Sequence, residues 1–113
     1  MEILPTTAEV YQQLRQVIDP ELNINIVDLG LIYQVNILKK QIEHGAIPLI
    51  HVLMTLTTPG CPLAGIFDQM VKDHLDVWPD IDRDENIIIE LTFDPPWVPD
   101  MMSAEARAEL GFD

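Results

Sequence analysis

Nine prolines, at positions 5, 20, 48, 59, 62, 79, 95, 96 and 99, constrain the fold of this 113-residue chain more than any other feature. Proline removes a backbone donor and clashes with the preceding turn, so it ends helices and avoids central strand ladders. The periodic segments of the sequence lie between these prolines. Composition then sets the scale: hydrophobic residues make up 48% of the chain, enough for one cored domain spanning residues 1–113.

The first segment predicts a helix over Thr7–Ile18. Thr6 and Glu9 form a capping box, and Val10, Leu14, Val17 and Ile18 recur at helical spacing. Pro20 ends it. Asp28-Leu29-Gly30 reads as a turn. Leu31–Leu38 follows as a strand, with Tyr33, Val35 and Ile37 alternating against Gln34 and Asn36. Its partner is Leu49–Thr57. The tip of this hairpin falls at Glu43-His44-Gly45-Ala46, with Ile42 and Ile47 extending the strands toward it. The Lys39–Pro48 stretch is long for a simple hairpin and has no assigned role.

Pro62–Trp78 predicts the second helix, with Leu63, Ile66, Phe67, Met70, Val71, His74 and Leu75 on one face. Asn86–Phe93 predicts a third strand, with Ile87, Ile89, Leu91 and Phe93 facing one way. A short helix over Met101–Leu110 ends at Gly111. A strand–helix–strand step makes a right-handed crossover to a parallel strand. The expected fold is α+β: a small mixed three-stranded sheet, made of an antiparallel hairpin plus a strand joined by a crossover helix, with helices packed on it.

Charge narrows the function. The net charge is −13, and residues 57–113 carry 13 acids against 3 bases. That field repels phosphate backbones and anionic membranes, so neither nucleic acid nor membrane is an expected partner. A basic protein face would be steered toward it. No apolar run reaches 18 residues, no secretion signal opens these residues, and a lone cysteine forms no internal disulfide. A cytoplasmic location is expected.

That cysteine, Cys61, lies in Thr57-Thr58-Pro59-Gly60-Cys61-Pro62, between the second strand and the second helix. Proline is favoured at the first helical position, so Pro62 places Cys61 at the N-cap. Free N–H groups and the helix dipole there favour an anion, and they lower a thiol pKa from its usual value of about 8.5. Such a thiolate can attack, carry sulfur or bind a soft metal. A small buried apolar side chain is the alternative role for Cys61.

Asp28 sits among Ile26, Val27, Leu29, Leu31 and Ile32, where a carboxylate needs a partner. It can serve as a base or hard-metal ligand, or cap the turn before Gly30. Glu21, after Asp19-Pro20, is a weaker candidate. His44, His51 and His74 have no ligand partner at metal-binding spacing, and structural roles are expected for them. In Asp94-Pro95-Pro96-Trp97-Val98-Pro99 the prolines fix an extended path, and Trp97 must cover either core or the Cys61 pocket. Met101 and Met102 add soft surface beside it.

Four stretches then combine: Val17-Ile18-Asp19-Pro20-Glu21-Leu22, Asn25-Ile26-Val27-Asp28-Leu29-Gly30-Leu31-Ile32-Tyr33, Met54-Thr55-Leu56-Thr57-Thr58-Pro59-Gly60-Cys61-Pro62, and Asp94-Pro95-Pro96-Trp97. In this order the chain resembles the SufT/PaaD-like family of iron–sulfur cluster assembly factors, over about residues 7–112. The resemblance implies an accessory factor in iron–sulfur protein maturation that acts through a reactive Cys61. Asp28, Glu21, Thr57 and Thr58 then line its pocket, and the reading of the residues adds Gly60, for the tight turn, and Trp97 as its cover. It implies iron–sulfur client or scaffold proteins as partners, and a tendency to homodimerise. A stable cluster needs about four ligands, usually cysteines, and this chain has one thiol. No stably bound cofactor is therefore expected. Iron or a cluster would meet Cys61 transiently or between subunits.

Three other readings stand beside this one. A non-catalytic adaptor would bind a client or scaffold through its acidic face. An accessory subunit of a PaaD-like aromatic-degradation oxygenase system commonly carries an extra cysteine-rich tail, which these residues lack. A thiol hydrolase would need a base histidine beside Cys61, and no spacing supplies one.

Overall fold

The computed structural model describes residues 5–20, 22–43, 45–57, 64–78, 81–82 and 84–111. Its elements run α1 (Thr7–Leu14), β1 (Ile32–Ile42), β2 (Gly45–Met54), α2 (Ala64–Leu75), β3 (Ile87–Leu91), a 3-10 turn (Pro99–Met101) and α3 (Ala104–Leu110). The sheet order is β1-β2-β3. β1 and β2 are antiparallel, and β2 and β3 are parallel. This is the expected α+β architecture, with the hairpin and the crossover helix in their expected places.

The capping box forms: Glu9 N–H donates to Thr6 Oγ1 at 3.1 Å, and Thr6 N–H donates to Glu9 Oε1 at 3.0 Å. α1 then stops at Leu14, four residues before the expected end. Tertiary pairing ends it. Ile26 N–H donates to the Val17 carbonyl at 3.0 Å, and Ile18 bridges Asn25. Pro20 disfavours helical backbone only at Asp19; the cross-chain pairing carries the break back to Val17. Val17 remains buried, whereas Ile18 is exposed and does not extend the apolar stripe.

The hairpin is longer than its central residues suggest, with Ile42 opposite Gly45. Pro48 sits in the central strand opposite Lys39, and its carbonyl is satisfied. Buried Asn86 donates from Nδ2 to the Pro48 carbonyl at 2.8 Å, and its own carbonyl accepts from Ile50 N–H at 2.8 Å. β3 pairs with β2 only from Ile50 onward. One sheet face buries Val35, Ile50, Val52, Met54 and Ile87 against α1 and α2, through Val10, Leu14, Phe67, Val71 and Leu75.

Within the expected face of α2, Phe67, Val71 and Leu75, spaced by four, are buried, whereas Ile66 is exposed. β3 buries Ile87, but Leu91 and Phe93 near its end are exposed. The strand closes at Leu91 because the chain turns away there into Asp94 and Pro95. The last helix begins later than expected. Met102 is extended, and Ser103 caps α3 by accepting from Ala106 N–H. Gly111 ends α3 at φ 81°, as a glycine stop requires.

Candidate functional site

The described part of the candidate site is built around the turn over residues 25–30. Leu29 N–H donates to the Asn25 carbonyl and Gly30 N–H to the Val27 carbonyl. Asn25 caps this turn, its Oδ1 accepting from Asp28 N–H at 2.9 Å. Asn25 Nδ2 also donates to Asp28 Oδ2 at 2.7 Å. Asp28 is half-buried. The cap of this turn is therefore Asn25 rather than Asp28, and the Asp28 carboxylate has a polar partner in the Asn25 amide.

A second segment is strapped across this turn. Ser103 N–H donates to the Asp28 carbonyl at 2.8 Å, and Trp97 Nε1 donates to the Leu29 carbonyl at 2.7 Å. Tyr33 hydroxyl donates to the Pro95 carbonyl at 2.7 Å. Gly30 has φ 80°, and a Cβ there would lie 2.7 Å from the Met101 carbonyl carbon. Only glycine allows both the left-handed backbone and so close an approach. Trp97 packs against the hydrophobic core, which supports the covering role read from its loop.

The same turn is tied to the exit of β2. Thr55 N–H donates to the Leu31 carbonyl at 2.8 Å, and Thr55 is fully buried. Thr57 follows, half-buried, where the strand leaves the sheet. The structure thus brings together the Asp28 turn, the β2 exit and the Trp97 segment, from three distant parts of the sequence. Glu21, Thr58, Gly60 and Cys61, along with Pro59, Pro62 and Leu63, lie outside the described residues. His44 does too.

Several contributors were not singled out from sequence. Asn25 is one; its signal is an Asn three residues before an Asp, the spacing of an N-cap. Asp19 is another. It is 4% exposed, its Oδ1 accepts from Leu22 N–H at 3.0 Å, and its backbone brackets the loop carrying Glu21. Tyr33 read as an ordinary strand residue, yet it anchors the Pro95 loop. An open groove nearby is lined by Val27, Gly30, Tyr33, Asp94, Pro95 and Met101, among others. Val27 lies just before Asp28 in the chain, but the Asp28 side chain is not part of that lining.

Two histidines, His51 and His74, have structural partners. His51 Nε2 lies 2.8 Å from Glu90 Oε1, and His74 Nδ1 lies 2.8 Å from the Met70 carbonyl. Among the described residues, no three His, Cys, Asp or Glu side chains group as a metal site. None of the described helices is long and apolar enough to cross a membrane.

A capped Asp-Leu-Gly turn strapped to the exit of a hairpin, on a sheet with one crossover helix, defines a class of small α+β domains. The model of a family described as "Iron-sulfur cluster assembly protein" matches residues 7–87. A Porphyromonas gingivalis protein named "Fe-S protein maturation auxiliary factor" is 40% identical over 111 residues, covering 98% of this chain and 96% of that one. The Staphylococcus aureus "Fe-S protein maturation auxiliary factor SufT" is 41% identical over 95 residues, covering 84% of this chain and 97% of that one. The crystal structure of a "Domain of Unknown Function DUF59" from Bacillus anthracis superposes with a TM-score of 0.73 at 35% identity, covering 94% of this chain and 92% of that one. The chain belongs to the iron–sulfur cluster assembly protein family.

Proposed function

We propose that this chain is an accessory factor in the maturation of iron–sulfur proteins and that it acts through Cys61. The carrying observation is the convergence of the Asp28 turn on the strand that leads into the Cys61 loop, through Thr55 N–H and the Leu31 carbonyl. Its relatives' names as maturation auxiliary factors support the same reading.

In this reading Cys61 is a thiolate held at the start of a helix, where backbone N–H groups stabilise negative charge. The substrate is iron, sulfur or a nascent cluster, received and passed on rather than kept. One thiol supplies one ligand where a cluster needs about four, so transfer occurs across an interface with a client, a scaffold or a second copy of the chain. Asp28 supplies a fixed carboxylate, a hard ligand or proton acceptor beside that transfer. Glu21, Thr57, Thr58, Gly60 and Trp97 complete the pocket. The work takes place in the cytoplasm.

The test is complementation. A strain whose own copy is deleted receives wild type or Cys61→Ser, and the activity of aconitase-type cluster enzymes is measured. Rescue by wild type alone is expected; equal rescue refutes the role of Cys61. In the purified protein, iodoacetamide alkylation of Cys61 should titrate below the free-thiol value of about 8.5. A midpoint at or above that value excludes an activated thiolate.

A further inference from the structure

The two oxygens of the Asp28 carboxylate are in different situations. Oδ2 accepts from Asn25 Nδ2 at 2.7 Å, a short, charge-assisted hydrogen bond. No hydrogen bond to Oδ1 is present among the described residues. Asn25 is itself immobilised, because its Oδ1 accepts from Asp28 N–H at 2.9 Å and its carbonyl accepts from Leu29 N–H at 3.1 Å. The backbone of Asp28 is held from the other side by Ser103 N–H at 2.8 Å. A half-buried carboxylate is thus pinned at its backbone and at one oxygen, and no described residue bonds the other.

We infer that Asn25 is a positioning residue for Asp28: its amide selects the carboxylate rotamer that presents Oδ1 to the incoming iron, sulfur donor or proton. A cap alone does not require this arrangement. Any Asn, Ser, Thr or Asp at position 25 could accept from Asp28 N–H; Asn accepts there on Oδ1 and donates to the carboxylate from a second atom, Nδ2, which a hydroxyl lacks and an aspartate replaces with an acceptor. The inference rests on the proposed role of the Asp28–Cys61 pocket and adds the residue that aims its carboxylate.

Serine separates the two functions of Asn25. Asn25→Ser keeps an acceptor for Asp28 N–H and loses Nδ2, the atom that reaches Oδ2; its one short hydroxyl replaces two separate polar atoms. The deletion strain is complemented with wild type, Asn25→Ser, Asp28→Ala and the double variant, and client enzyme activity is normalised to the abundance of each variant. The purified proteins are melted in parallel. Asn25→Ser is expected to stay folded, with a lowered melting temperature still well above the assay temperature, and to lose about tenfold in rescue per folded molecule, the scale of one hydrogen bond to a charged group. The double variant should be no worse than Asp28→Ala, because Asn25 acts only through that carboxylate. Should Asn25→Ser fold poorly, Asn25→Asp serves in its place. It retains the cap acceptor and sets a second carboxylate against Asp28, and the same loss is expected. Wild-type rescue by Asn25→Ser alongside failure of Asp28→Ala overturns the positioning role and leaves the pocket standing. Wild-type rescue by Asp28→Ala removes Asp28 from the proposed function. Losses that merely track abundance, or that add to that of Asp28→Ala, show a structural role only and also overturn it.

Discussion

Gly30→Ala tests whether the strap over the Asp28 turn is as tight as its geometry indicates. Two costs combine. At φ 80° an alanine enters the left-handed region, which costs about 1–2 kcal/mol. Its Cβ would also collide with the Met101 backbone, 2.7 Å from the carbonyl carbon and 2.9 Å from the Met101 Cβ. Overpacking of this kind costs about 1–3 kcal/mol. Met101 cannot yield freely, because its N–H donates to the Val98 carbonyl and Ser103 is bonded to the Asp28 carbonyl. The expected loss is therefore about 2–5 kcal/mol, a large share of the roughly 5–15 kcal/mol typical of a domain. Urea unfolding followed by tryptophan fluorescence reads it as a lower midpoint at unchanged slope. Gly65→Ala is the internal control. No atom lies within 4 Å of the position its new methyl group would take, and the site is helical, so that variant should gain about 0.5–1 kcal/mol. A loss below about 1 kcal/mol for Gly30→Ala would refute the close approach of Met101 and with it the strap.

Two further substitutions probe how the fold carries the site. Asn86→Ala removes the donor to the buried Pro48 carbonyl and the acceptor for Asp82 N–H; thermal unfolding should show a loss of about 2–4 kcal/mol, and a near-neutral result would mean that the start of β3 is not held by this side chain. Trp97→Phe keeps most of the packing but loses the hydrogen bond to the Leu29 carbonyl; a loss of about 1 kcal/mol is expected in chemical denaturation, and no change would show that Trp97 acts by packing alone.

Much of the architecture was legible because its signals are local. The Thr6–Glu9 capping box, the alternation of Val35 and Ile37, the four-residue spacing of Phe67, Val71 and Leu75, and the Gly111 stop each act within one or two turns of chain. The mixed sheet followed from the handedness of crossovers. The errors fell where distant segments compete. α1 lost its last turn to pairing between Val17 and Ile26, and Ile66, Leu91 and Phe93, placed on apolar faces by their spacing, are exposed. Pro48 in the central strand is tolerated where β3 does not yet pair, since that pairing begins at Ile50, and its carbonyl is satisfied by the side chain of Asn86, 38 residues away.

The candidate site divides in the same way. Residue chemistry along the chain singled out Asp28 as a carboxylate in apolar surroundings, the Asp28-Leu29-Gly30 turn, and Trp97 as a residue that must cover something. Each is a property of a residue and its immediate neighbours. Tertiary structure alone decided that Trp97 and Ser103 clamp the carbonyls of that turn and that Thr55 ties it to the end of β2. These three contacts join segments from 24 to 75 residues apart. Hydrogen bonds over such separations leave no periodicity in the chain; they exist only once the sheet and its helices have fixed where those segments meet.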